Sequence, residues 1–324
     1  MTHSADSLQR RREERRAELK RGRQRLAGLG AAAALALVTG VIVGAGGDGE
    51  ERGTTSAAKK EKLAPPTLPN GKRSIFPEHR VVAFYGAPQA AELGVLGIGS
   101  PASAAKKLMR QAKPYATEKR PVLPAFELLA VIAANAPGDD DLYRNRQESA
   151  IIQRYLTAAR KAKAILLLDI QPGRADFLTE AKALERWLKE PDVSLAIDPE
   201  WRMEAGEIPG QTIGSVDAAE VNQVSRYLSG LVREGNLPEK LMLVHRFTED
   251  MIERPEAIEK PPGVAVTLNV DGFGTKAAKL SKYRVLVPRR FRAGFKLFYR
   301  EDTGLMSPRE VLALRPQPDI IEYE

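Results

Sequence analysis

Four short runs in this chain each end on an ionisable residue: AILLL before Asp169, VSLAI before Asp198, LMLV before His245 and VAVTLNV before Asp271. Mainly apolar runs of this length, separated by stretches of helical period, read as parallel strands covered on both faces. In α/β barrels the polar groups that follow such strands gather at one end of the sheet, where the active site is built. The pattern therefore predicts a site before it predicts a substrate.

The rest of the chain extends the alternation. VVAFYG (81–86) is the expected first strand, followed by a helix over PASAAKKLMRQAKPY with Ser100 as its cap and Pro101 at its first position. VLPAFELLAVIA (122–133), AILLLDIQ (164–171) and VSLAIDPEW (193–201) follow as strands two to four, with helices at QESAIIQRYLTAARKA and DFLTEAKALERWLKE between them. The clearest helix carries Val221, Val224, Leu228 and Leu231, opened by Asp217 with Glu220 three residues on and stopped by Gly235 and Pro238. LMLVHRF (241–247) and VAVTLNVDGFG (264–274) make strands five and six. FKLFY (295–299) is the seventh, with YRVLVP (283–288) as its rival, and DIIEYE (319–324) is the eighth after a helix at SPREVLALR. The expectation is an α/β chain with a (β/α)8 TIM-barrel-like domain over 81–324, no helix being read after the eighth strand. An α/β sheet that fails to close is the alternative.

The formal charge of +8 suggests a nucleic-acid surface until it is divided along the chain. Residues 1–25 carry +5 of it, and the remainder is nearly balanced, so no nucleic-acid partner is expected. Residues 26–47 hold no charge, and a helix of roughly 20 apolar residues suffices to cross a bilayer. The expected layout is a basic cytoplasmic segment (1–25), a transmembrane anchor or signal peptide (26–47), a flexible linker (48–80) and the barrel, held outside the cell membrane by a single pass. Cysteine is absent, which removes disulfides, thiolate nucleophiles and cysteine-ligated metals.

Elimination narrows the chemistry. Of three histidines only His245 falls within the expected barrel, His3 and His79 lying outside it, which disfavours a histidine-rich metal centre. No G-x-S-x-G occurs. The loop LGVLGIGSPAS has its glycines in the wrong order for a nucleotide fingerprint, though an anion held by Gly94–Ser100, Arg174 and Arg246 is a third and weaker option. No metal and no cofactor are called for. Carboxylates remain. Asp198 and Glu200 are two residues apart, so an extended strand end would aim both the same way, and Trp201 beside them offers a face on which a sugar ring stacks. Asp169 is the third catalytic candidate. Glu127, His245, Asp271, Tyr85 and Glu322, with Trp201, are candidate contacts to a glycan or another small polar ligand.

With its Asp198-Pro199-Glu200 motif on the fourth strand, the chain resembles the glycoside-hydrolase-like TIM barrels, including chitinase-like and muramidase-like families. That resemblance implies Glu200 as general acid and Asp198 as its electrostatic partner. The chain departs from it where the first strand ends in FYG without an acid, and where the third lacks a dense acidic motif. In its Ala, Arg and Gly bias it also looks similar to membrane-anchored proteins of high-GC bacteria. The expected function is binding and hydrolysis of an envelope or extracellular glycan by paired carboxylates. The alternative is a non-catalytic barrel serving as an envelope binding or scaffold protein.

Overall fold

The computed structural model describes residues 64–287 and 290–324. The expected cytoplasmic segment, the expected 26–47 anchor and residues 48–63 of the expected linker lie outside them. Among the described residues no helix is long and apolar enough to cross a membrane.

Eight parallel strands form the barrel: β1 (Arg80–Gly86), β2 (Val122–Ala133), β3 (Ile165–Ile170), β4 (Val193–Ile197), β5 (Lys240–Arg246), β6 (Val264–Val270), β7 (Arg292–Leu297) and β8 (Ile320–Tyr323). Each pairs with the next, and β8 pairs with β1 through Val81 opposite Ile320 and Ala83 opposite Glu322, so the sheet closes and the open-sheet alternative fails. The helices are α1 (Pro101–Ala112), α2 (Ser149–Lys161), α3 (Phe177–Ala183), α4 (Glu185–Leu188), α5 (Ala218–Gly235), α6 (Lys276–Leu286) and α7 (Pro308–Leu312). This is a TIM-barrel-like domain.

Several boundaries differ from expectation for local reasons. YRVLVP is not a strand, because Tyr283–Leu286 complete α6, which starts at the Thr275 cap; β7 begins instead at Arg292. The helix expected over DFLTEAKALERWLKE breaks at Leu184 into α3 and α4. No α-helix joins β5 to β6; a two-residue strand, Ile252–Glu253, and a single 3-10 turn, Pro255–Ala257, take its place. Part of the stretch read as linker is packed. Leu68, Ile75 and Phe76 are buried with Val81, Leu123, Ile165 and Leu241 at the amino-terminal end of the barrel, and Glu239 anchors them by accepting the Ile75 N–H at 2.7 Å. The barrel end needs an apolar cover, and this segment supplies it.

Following the ladder from Tyr85 through Glu127, Leu167, Ser194, Leu241 and Ala265, and on in register through β7 and β8, returns to β1 at Pro77, eight residues before the start. A stagger of eight on eight strands stacks the interior side chains in layers of four from alternate strands. The lower layers are small or apolar, as in Ala83, Leu167, Leu243 and Gly294. A Cβ at Gly294 would lie 2.4 Å from Asn269 Oδ1, so the glycine leaves that side chain its space. Above them the composition changes abruptly.

Candidate functional site

The upper three layers are almost entirely polar. The first holds Glu127, Ala196, Asn269 and Glu322, the second Tyr85, Asp169, His245 and Lys296, and the third Leu129, Asp198, Asp271 and Glu324. Strand alternation produces this: the residues two places further along from the apolar interior positions Ala125, Leu167, Ala196, Leu243 and Ile320 are Glu127, Asp169, Asp198, His245 and Glu322. All five are buried. Six carboxyl groups therefore share the mouth of one barrel with a single lysine and a single histidine.

His245 is held from both sides. Its Nδ1 lies 2.9 Å from Asp271 Oδ2 and its Nε2 2.8 Å from Glu127 Oε1, with Glu322 Oε2 4.0 Å from Nδ1. Lys296 Nζ lies 2.8 Å from Glu324 Oε2, 3.4 Å from Asp271 Oδ2 and 3.8 Å from Glu322 Oε2, and sits over the Tyr85 ring at 3.5 Å from its centre. The Tyr85 hydroxyl reaches Asp169 Oδ2 at 3.5 Å and accepts from Gln171 Nε2 at 3.1 Å. Asn269 Nδ2 donates to Glu322 Oε2 at 2.7 Å.

These neighbours push the carboxyl groups apart in acidity. Burial drives Asp198 up to about 7, with the charges of Asp169 and Asp271 adding to the rise and His245 opposing it. Burial likewise drives Asp169 up to about 6 against the pull of His245 and Lys296. Glu322 is raised well above the usual range by burial and by the facing Glu127. Burial also acts on Asp271, but Lys296 and the bond from His245 overcome it and hold that carboxyl well below the ordinary value. For His245 the penalty of burial is outweighed by Glu322, Asp271 and Glu127, and its imidazolium form is favoured. Neighbouring acids pushed in opposite directions are the arrangement that general acid–base chemistry uses.

Most of the residues singled out from sequence meet here: Asp169, Asp198, Glu127, His245, Asp271, Tyr85 and Glu322. The Asp198 and Glu200 side chains do not share an extended strand end. β4 stops at Ile197, and Pro199–Trp201 make a 3-10 turn in which Asp198 Oδ1 accepts the Glu200 N–H at 3.3 Å. The turn breaks the alternation on which the pairing rested. Glu200 and Trp201, both half-buried, lie beyond the layered interior, and the Glu200 carbonyl accepts the Gly214 N–H at 2.7 Å. Lys296, Asn269, Gln171 and Glu324 were missed, although Lys296 within FKLFY and Asn269 within VAVTLNV carry the same signal as Glu127, a polar residue inside an apolar run.

The anion option loses its parts. A Cβ on Gly97 would lie 1.9 Å from the Ala87 carbonyl, so the Gly-rich loop is explained by its close packing on the chain just after β1. Arg174 pairs with Asp141 at 2.9 Å and stacks over Tyr143, and Arg246 donates to the Thr248 and Glu249 carbonyls. No protein-family model matches the chain, and no curated protein matches it.

Proposed function

We propose that the barrel binds and hydrolyses a glycan of the cell envelope or surroundings by carboxylate acid–base chemistry, with Asp198 as proton donor and Asp169 and Asp271 as the charged partners. What supports this reading is the convergence of Asp169, Asp198 and Asp271 at the ends of β3, β4 and β6, with Asp271 2.9 Å from His245, where burial pushes Asp198 up to about 7 and Asp169 up to about 6 while Lys296 and His245 hold Asp271 low. At neutral pH the mouth would hold a protonated carboxyl able to donate to a glycosidic oxygen. It would also hold an ionised one able to stabilise positive charge developing on the sugar ring. Tyr85 and Gln171, linked by their own hydrogen bond, are suited to orient hydroxyl groups. The uncharged run at 26–47 supports an anchored protein with the barrel outside the cell.

A non-catalytic envelope-binding barrel is the second reading. It is favoured by the fact that His245 and Lys296 already engage Glu127, Asp271, Glu322 and Glu324. The two separate in one experiment: the purified full chain is incubated with peptidoglycan and common polysaccharides, and both binding and released reducing ends are recorded. Hydrolysis that disappears in Asp198→Asn is the expected result. Binding with no product from any substrate would leave the second reading.

A further inference from the structure

The lowest polar layer is not used by the acid–base chemistry proposed above, and its geometry asks for something that no side chain there provides. Glu127, His245 and Glu322 each offer a ligand atom, and these atoms lie within 4.8 Å of one another, all completely buried. A cluster of this kind often holds itself together by ion pairs alone. Here it does not finish the task. Glu127 Oε2 and Glu322 Oε1 have no hydrogen-bond partner, nor has Asn269 Oδ1 in the same layer. All three are acceptors, and buried acceptors without a donor are rare because their lost hydration is not replaced. One proton shared between the glutamates would satisfy a pair of these oxygens and leave the third. The fourth member of the layer, Ala196, contributes only a methyl group and so no donor.

The surroundings are those of a ligand set already oriented. Asp271 accepts from Nδ1 of His245 at 2.9 Å, which directs Nε2 toward Glu127. Asn269 donates to Glu322 Oε2 and fixes that carboxylate. Metal-bound imidazoles and carboxylates characteristically have such outer partners. Lys296 lies near one side, 3.8 Å from Glu322 Oε2, and its charge is met by Asp271 and Glu324.

We propose that Glu127, His245 Nε2 and Glu322 bind one first-row divalent cation at the base of the barrel mouth. Two carboxylates with one imidazole suit Mn2+ or Zn2+, and the third-layer acids Asp198 and Asp271 line its way in. In the metal-free chain the Nε2 contact with Glu127 is bridged by a proton, and the cation takes that proton's place. The inference goes beyond the glycan reading, and its three ligands are not among the acids that reading assigns to the reaction.

The test is metal uptake by the purified full chain after stripping with chelator, titrated separately with MnCl2 and ZnCl2 by calorimetry, with bound metal counted after dialysis. One equivalent of either ion per chain is expected. Glu127→Gln and Glu322→Gln should each weaken uptake by about 100-fold, at or beyond the upper end of what loss of an outer partner causes. Should these variants not fold, the wild-type chain labelled with 15N in histidine still decides. Zn2+ must move the Nε2 resonance of one of the three histidines as coordination does. No saturable uptake of either ion, uptake undiminished in folded glutamine variants, or an unmoved imidazole signal would each overturn the proposal. No glycan is present in these measurements, so their outcome and that of the hydrolysis screen are independent.

Discussion

The lower and upper halves of the barrel interior are built on the same strands, in the same register, and are opposite in character. Below, Val81, Ala83, Leu123, Leu167, Leu241 and Leu243 fill the space with apolar side chains, closed from beneath by Leu68, Ile75 and Phe76. Above, Glu127, Asp169, His245, Lys296 and Glu322 occupy the next positions on the same faces of their strands and are no more exposed. Apolar burial stabilises by removing surface from water, whereas buried charges are costly unless paired. One barrel thus spends its lower half on stability and its upper half on a ring of ionisable groups that stability alone does not require.

The strongest way to break this contrast is Lys296→Met. Removing one of the two cations leaves Asp271, Glu322 and Glu324 short of a partner, and the expected loss is about 3–5 kcal/mol in urea unfolding at pH 8. A loss under about 1 kcal/mol would mean that water or protons compensate the ring and that it is not a high-cost feature. Leu243→Ala tests the lower half, with an expected loss of about 3 kcal/mol that is the same at pH 5 and pH 8, because a cavity has no charge to titrate.

Asp198→Asn sharpens the comparison with an effect of the opposite sign. The folded chain holds the Asp198 proton far more tightly than the ordinary value of 3.8 implies, so wild-type stability contributed by this group falls as pH rises from about 4 to about 7. The asparagine variant escapes that fall. It should be about 1–3 kcal/mol more stable than wild type at pH 8 and nearly equal to it at pH 4, measured by thermal unfolding at both values. Equal stability at both would remove Asp198 from the poised acids. The smallest effect is reserved for Glu200→Gln, which should alter stability by less than about 0.5 kcal/mol and leave any glycan hydrolysis in place. Loss of hydrolysis there would restore the acid-x-acid pairing on β4 that the resemblance implied.

Much of the mouth was legible because strand alternation is a local property. Asp169, Asp198, His245 and Asp271 were found as residues that end apolar runs, and Glu127 as a charge inside one. Lys296 is harder to see, because the apolar pattern places the start of the seventh strand at Phe295 rather than Arg292 and hides the two-residue step from Gly294. The strand expected to run past Ile197 stops there, and the proline-led 3-10 turn that places Glu200 and Trp201 is not visible in an apolar pattern.

The sequence by itself determined the eight strands to within a few residues and the end of the barrel at which the polar groups collect. These depend on neighbours one to four places away. Only the tertiary structure decided which polar groups touch. His245 meets Glu127 across 118 positions of sequence, and Asn269 meets Glu322 across 53, because the sheet closes with a stagger of eight and brings those heights together. Height in a closed barrel is set by all eight pairings at once, and no single strand carries that information.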